Sequence, residues 1–514
     1  MNIIKYLSTI EHLKIIQIIW RFILIFNKLF LKIFSVKISY EKYNIPKLTI
    51  SNEKNESTEY KLFDEKIYLK NINWSDKRDN LKSYHLHYFD FLKKCDRKLG
   101  IQIVDNWMYE NIPSTNNVGW QPYPISLRIV NWIFFLSEQN LKPSKKIIDS
   151  LFLQGKWLFK QREYHLMANH LFKNIVGLFY WGVFFRDKKI MNWSIKNLEK
   201  QLDEQFDESG FHFEYSSTYH ALSIKDSLDM LNLIKNNEIN GTEKLQNKLK
   251  KVIEKGLAIA EKMYFKKYIP VGDVNYQDCS NYRNLKKYSE VFNLNVKNIN
   301  STINPLIKNN HLKLMLINSP FSPKYNSAHS HQDKLSILLW HKGKPIFTDT
   351  GNYSYNLCEE RKYSRSVEAH NTIQIDDFQQ AEMWDTFRVG YRGNVGIDKI
   401  TKDEIICTFQ HKKYRQERKI EKVGDKIVMT DIVQSKGSHD LKQYFHIHPE
   451  NRIEKLSDGI IINDVVKIKF RNKFEIIETD YYPAMYQREK QKTVIVKGDF
   501  NNYVKIVTEI IEIV

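Results

Sequence analysis

Cysteine is scarce in this chain. Four residues in 514, Cys95, Cys279, Cys358 and Cys407, lie far apart and form no C-x-x-C pair. That spacing excludes a zinc site built on cysteine thiolates and argues against a disulfide framework. Long uncharged apolar runs are missing as well. The most apolar stretch, IIQIIWRFILIFNKLFLKIF (15–34), is interrupted by Arg21, Lys28 and Lys32, and no uncharged piece of it is long enough to cross a bilayer. No alanine occurs before Ala168, so the small-residue cleavage site of a secretory signal is absent. The stretch reads instead as a basic amphipathic helix, packed on the body or making peripheral membrane contact through residues 1–35. Without a cleavable signal, a cytoplasmic or inner-membrane-associated setting is expected rather than a periplasmic one. Extended basic blocks and nucleic-acid-binding fingerprints are also missing.

What the chain does carry is a lysine excess and many aromatics. Seventy-nine Lys and Arg against 60 Asp and Glu give a formal charge of +19, a field that attracts anionic polymers, although charge alone does not choose among them. The apolar fraction of 42% supplies a core for more than one domain. Residues 1–40 form the basic N-terminal segment, and from 41 to about 80 the sequence is polar and Lys/Asn-rich, which reads as a linker or irregular arm. SLRIVNWIFFLSE (126–138), NHLFKNIVGLFYWGVFF (169–185), ALSIKDSLDMLNLIKN (221–236) and KLKKVIEKGLAIAEKMYF (248–265) then repeat apolar residues at helical spacing. Polar breaks at 141–146 and 236–243 suggest stacked helical hairpins. After about residue 305 the period switches to two, in segments such as LKLMLINS, KLSILLWH, NTIQIDD and KIVMTDIV separated by Gly, Asn and Asp turns. A helical domain over 41–305 followed by an antiparallel β domain over 306–514 is the segregated α+β pattern.

Several segments carry chemistry. NSAHSHQDKLSILLWHKGKPIFTDTGNYSY (326–355) holds His329, His331 and Asp333 at alternate positions, with Asp349 after the next strand and His370 further on in SVEAHNTIQID. Alternation puts the first three on one side if the stretch is extended. Imidazole and carboxylate suit Zn²⁺, and so do they suit hydrogen-bonded turns. In YHLMANHLFKN, Asn169 and His170 open an amphipathic helix, and His170 and Asn174 share one face. In DESGFHFEYSSTYHALSIK, a Gly-containing loop gathers His212, Glu214, Tyr215, Tyr219 and His220, a setting that can prepare a phenolic acid or base. His87 in SYHLHYFDFL, with Trp120, Tyr123 and Arg128 in GWQPYPISLRIVNW, either lines a sugar cleft or packs in the core.

Taken together, LHYFD, WQPYPISLRIVNW, NHLFKN, GFHFEYSSTYH, the H-x-H-x-D stretch with its downstream FTDTGNYSY, and RKYSRSVEAHNTIQID resemble the heparinase II/III family of polysaccharide lyases over most of the chain. The resemblance implies an incomplete (α/α) toroid followed by an antiparallel β-sandwich. It implies β-elimination at the uronic acids of an anionic polysaccharide, with no nucleic acid as partner. By the same resemblance, Asn169, with His170 beside it, neutralises the substrate carboxylate, Tyr219 is the catalytic tyrosine and His329 the partner base. His87, Trp120, Tyr123, Arg128, His212, Glu214 and His220 are expected to contact substrate. His331, Asp349 and His370 are expected to hold a structural Zn²⁺. The sequence departs from the family at Ala328, at Lys173, at Tyr215 and in TDTG. A uronyl C5-epimerase of the same fold, or a non-catalytic polysaccharide-assembly or binding factor, are the alternatives. The missing export signal suggests exopolysaccharide assembly at a bacterial inner membrane.

Overall fold

The computed structural model describes residues 3–33, 36–49, 56–75, 79–264, 269–277, 281–296, 299 and 301–513. Two N-terminal helices, α1 (Ile3–Ile10) and α2 (Ile15–Ile33), lead through an extended arm to a hairpin of strands Glu59–Leu62 and Glu65–Tyr68. The polar stretch over 41–80 is therefore not irregular throughout. The arm is tied down where Asn44 donates its N–H to the Phe184 carbonyl, and the hairpin rests Tyr60 edge-on against Phe91.

Among the described residues, nine helices of the helical domain follow: α3 (Asn80–Leu86), α4 (Arg97–Glu110), α5 (Pro122–Glu138), α6 (Lys145–Lys160), α7 (Ala168–Phe185), α8 (Lys188–Gln205), α9 (Ser217–Lys235), α10 (Glu243–Lys262) and α11 (Tyr282–Glu290). Short polar side chains begin several of them by accepting N–H groups that have no partner within the helix. Asp96 accepts from Leu99 N, Ser144 from Ile147 N, Asp187 from Ile190 N and Ser216 from Tyr219 N. The polar break at 141–146 is thus the capped start of α6. Helix α7 is apolar all round and lies at the centre, as such helices do. Every one of its residues except His170 is buried.

After residue 305 the chain forms a connected antiparallel sheet of 14 strands and one short helix, α12 (Glu359–Arg365). The long strands Lys426–Ile447 and Glu489–Glu512 pair along most of their length, with a bulge between Gln434 and Ser438. The strands nearest the helices are buried on both faces. Leu314, Leu316, Ile337 and Leu339 enter the sheet's own core, while the alternating Met315, Leu338 and Trp340 enter the helical core. This shared packing fixes the loop 317–336, which joins two of those strands and carries His329 and His331, against the helical domain.

Among the described residues, no helix is long and apolar enough to cross a membrane. Helix α2 does pack on the body, but only by one edge: Gln17, Leu24 and Leu31 are buried, while Ile15, Phe22, Ile25, Phe26 and Leu29 on the opposite side are at least half exposed. Cys95, Cys358 and Cys407 are free thiols, and Cys279 lies outside the described residues.

Candidate active site

The site forms where three elements meet: the start of α9, the loop 269–277 between α10 and α11, and the loop 317–336. The hub is Asp273, which is fully buried. Its Oδ2 faces His329 Nδ1 at 2.9 Å and its Oδ1 faces His331 Nε2 at 3.0 Å. Arg361, from α12, donates to both of its oxygens, to Oδ2 at 2.9 Å. Burial alone would raise the Asp273 pKa, but the Arg361 guanidinium and the two imidazoles hold its carboxyl well below the usual range. Gly272 makes this approach possible. Its φ is +58°, and a Cβ there would lie 2.6 Å from the His329 carbonyl oxygen, the same oxygen that accepts the Asp273 N–H at 2.9 Å. His329 and His331 thus point to one side because both reach Asp273. Asp333 turns instead to Lys334 Nζ, 2.5 Å away.

Tyr219 sits in the first turn of α9 with its ring against His329, centroids 3.9 Å apart. Its Oη lies 3.4 Å from Tyr355 Oη. Burial first, then the neighbouring Tyr355, Tyr123 and Asp273, push the Tyr219 pKa well above that of a free phenol, so the hydroxyl keeps its proton. Phe387, 39% exposed, packs edge-on with His329 at 5.7 Å between centroids and reaches solvent.

Across from this pair is the N-terminus of α7. The chain enters it through Met167 and Ala168 at φ +59° and +47°, and Tyr215 opposite has φ +47°. Left-handed backbone at three non-glycine residues is a cost that the surrounding packing must overcome. The turn directs Asn169 at Glu214: the backbone N–H donates to Oε1 at 3.1 Å, and Nδ2 lies 2.9 and 3.2 Å from the two carboxylate oxygens. Glu214 Oε2 in turn lies 3.8 Å from His329 Nε2. His170 Nδ1 pairs with Glu163 Oε1 at 3.1 Å, and Asn174, one turn on, holds the second Glu163 oxygen at 3.0 Å. Burial would lower the His170 pKa, but Glu163 and Glu214 raise it above the ordinary value. Tyr123 closes this side, its ring 4.7 Å from that of His170.

The structure brings Asn169, His170, Tyr219, His329, Glu214 and Tyr123 together. The remaining expected substrate contacts are engaged instead by partners in the helical interior. His87 accepts from Trp107 Nε1 at 3.0 Å inside the aromatic core. Trp120 donates to the Asn111 carbonyl at 2.8 Å. Arg128 is fully buried over the Trp107 ring and donates to Gln154 Oε1 and the His87 carbonyl. His212 faces Gln205 Oε1 at 3.0 Å, and His220 donates Nε2–H to the Gly256 carbonyl at 2.8 Å, its pKa lowered by burial to about 4. These five brace the helices behind the site. Conversely, Asp273, Arg361, Tyr355 and Phe387 escaped the sequence reading. The VGD turn was the one local signal for Asp273; Tyr355 and Arg361 stand inside the family-resembling FTDTGNYSY and RKYSRSVEAHNTIQID without being singled out, and Phe387 lies in no marked segment.

Of the expected metal ligands, His331 and His370 lie with ring centroids 5.4 Å apart and are fully buried. His331 Nδ1 and His370 Nε2 have no hydrogen-bond partner. Two orphaned imidazole nitrogens fit a cation. Asp349 takes a different place: its Oδ2 meets His370 Nδ1 at 2.7 Å and its Oδ1 accepts the Gly351 N–H. It orients the histidine, as carboxylates behind metal-bound imidazoles do. A separate group able to hold a metal ion, His311, His341 and Glu512, gathers its ligand atoms within 4.8 Å at the far end of the sheet. There Glu512 also pairs with both histidines, at 2.7 and 2.8 Å.

Comparison with known proteins agrees with this architecture. Residues 50–299 match the family model described as heparinase II/III N-terminus, and residues 305–508 the one described as heparinase II/III-like, C-terminal. The fold is similar to that of a crystallised heparinase III at TM-score 0.66 and 15% identity, over 86% of this chain and 79% of that one. It is similar to the heparinase III BT4657 gene product at TM-score 0.62 and 15% identity, over 86% and 81%. It is also similar to the heparan sulfate lyase HepC from Pedobacter heparinus at TM-score 0.56 and 15% identity, over 86% and 78%. No curated protein matches the sequence.

Proposed function

We propose, from the premise that this chain belongs to the heparinase II/III family of polysaccharide lyases, that it cleaves a uronate-bearing anionic polysaccharide by β-elimination. The observation that carries the reading is the Tyr219–His329 pair backed by Asp273 and faced by Asn169 and His170. The C5 proton of a uronate is hard to remove because the adjacent carboxylate resists further negative charge. The Asn169 amide and the His170 imidazole are donors suited to that carboxylate as the enolate develops. Asp273 holds the proton of His329 on Nδ1, which leaves Nε2 as the base and stabilises the imidazolium once it has taken H5. Tyr219, kept protonated by its surroundings, delivers its proton to the departing O4.

The same geometry favours elimination over C5-epimerisation. Tyr219 and His329 lie ring against ring, 3.9 Å between centroids and tilted by 33°, which sets acid and base on one side of the site, whereas epimerisation needs them on opposite faces of the sugar. Incubation with a panel of uronate polymers in heavy water separates the readings. Ultraviolet absorbance of an unsaturated uronate is expected. Deuterium at C5 without that absorbance would instead mean epimerisation, and binding with neither change would mean an assembly or binding factor.

Zn²⁺ fits a structural role between His331 and His370, with Asp349 orienting His370, and when bound it would cross-link the loops beneath His329. Elemental analysis should find one fewer zinc per chain after His331→Ala than in the wild type. The apolar stripe on α2, flanked by Arg21 and Lys28, supports a peripheral contact with an anionic membrane surface and with it an inner-membrane-associated setting. Sedimentation with phosphatidylglycerol vesicles should carry the protein down and should fail after Phe22→Asp with Phe26→Asp. Sedimentation unaffected by that change would remove the assignment.

A further inference from the structure

A cavity of about 290 Å³ lies between the N-terminal helices, the turn 324–327 and the hairpin of strands Ala381–Trp384 and Arg388–Arg392. Its wall carries Arg21, Lys324, Arg388, Arg392, His12 and His165, and among its lining residues the one carboxylate is Asp385. That carboxylate pairs with Arg388 at 3.5 Å, in an exposed pair, and also accepts from the Thr386 N–H and hydroxyl. Arg392 is spread over the carbonyls of Lys324, Val389 and Gly390 and the Ser327 hydroxyl. Arg21 donates to the Gln17 carbonyl at 2.9 Å. Backbone oxygens hold these guanidiniums in place without neutralising them. His165 presents a buried Nδ1 with no partner. The cations act on one another. After burial, Arg388 is what lowers the pKa of Arg21; for His12, Arg392 and more weakly Lys324 add to burial in lowering it, against Glu11 and the hydrogen bond to the Gly390 carbonyl, which raise it.

The wall is held firmly. Gln17 is buried and donates to the carbonyls of His165 and Leu166. Helix α1 is clasped by the Trp384 indole, which donates to Thr9 Oγ1 at 3.1 Å, and by Ser8, which donates to Glu382 at 3.2 Å. The cavity also adjoins the catalytic centre. Phe387 lines it and packs on His329, and Leu166 lines it three residues ahead of Asn169. Helices α1 and α2 precede the family-matched segments, whereas His165, Lys324, Arg388 and Arg392 lie within them.

We infer that this cavity is a subsite for an anionic substituent, a carboxylate or a sulfate ester, on a sugar neighbouring the one at Tyr219. The assignment rests on the polysaccharide reading for the identity of its ligand. An anion there would collect charge-assisted hydrogen bonds from groups already in position and relieve their mutual repulsion.

The test uses the full chain carrying Tyr219→Phe, so that polymer is bound without being cut, with and without Arg21→Ser plus Arg388→Ser. Titration calorimetry compares heparan sulfate with the same polymer after chemical desulfation. The double serine change should weaken polymer binding by roughly tenfold or more, the loss of about one charge-assisted contact. A loss confined to the sulfated polymer identifies a sulfate ester, and an equal loss for both identifies the carboxylate. Equal affinity of the two proteins for both polymers would overturn the subsite. If neither polymer binds, titration of inorganic sulfate decides separately. A sulfate-dependent rise in melting temperature that disappears in the serine variant retains an anion site while the polysaccharide reading falls, and no such rise overturns both.

Discussion

At the residue scale, the division of labour between two histidines two positions apart is set by one carboxylate. Asp273 gives each imidazole an oxygen, so His329 is left with Nε2, 3.8 Å from Glu214, and His331 with a buried, unpartnered Nδ1 in a ring beside that of His370. Tyr219→Phe should reduce elimination by about 10²–10⁴-fold, the usual worth of a placed acid, with the melting temperature unchanged. Retained turnover would reassign the proton donor. Asp273→Asn leaves Arg361 buried without its anion and should cost about 3–5 kcal/mol in urea unfolding. The depressed Asp273 pKa also sets a sign. Its contribution is complete above about pH 3.9, the unfolded carboxyl value, and is lost as pH falls through the lower folded value. Stability of the wild type should therefore fall toward that of the Asn variant in acid. Parallel curves for the two proteins would show that the carboxylate is not the source.

At the element scale, helices and strands were legible because their periods are local. The apolar spacing of α5, α7, α9 and α10 and the alternation after residue 305 are written along the chain, and burial follows them. The hairpin over 59–68 was not legible, since its Lys- and Glu-rich strands carry little apolar alternation and owe their place to the aromatic core beneath. Turns carry more of the site than the regular elements do. Gly272→Ala should destabilise by about 1–3 kcal/mol through strain at positive φ and contact with the His329 carbonyl. It should also lower kcat while every catalytic side chain is retained. An unaffected kcat would mean that the loop 269–277 does not position Asp273.

At the scale of the whole molecule, the site is made of both domains: Asn169, Tyr219 and Asp273 come from the helical part, and His329, Tyr355 and Arg361 from the sheet part. Their registration depends on strands buried on two faces. Trp340→Ala removes a 5%-exposed side chain that the sheet inserts into the helical core. It should cost about 3–5 kcal/mol, and lyase activity should fall with it. Calorimetry of the wild type is expected to show one cooperative transition. Two separable transitions, with activity surviving the Trp340 change, would mean that the domains are coupled only loosely.

The sequence by itself determined the order of helix then sheet, the family, and the residue types suited to uronate chemistry, because periodicity and short motifs are properties of neighbouring residues. It could not separate the core from the cleft. His87, Trp120, Arg128, His212 and His220 look like sugar contacts in their motifs, yet each finds its partner in the interior. Only the tertiary structure decided that, and only it revealed Asp273, whose partners lie 56 and 58 residues away on the loop carrying His329 and His331 and 88 away at Arg361. Burial and charge pairing depend on distance in space, and that distance is settled when the sheet packs into the helical domain.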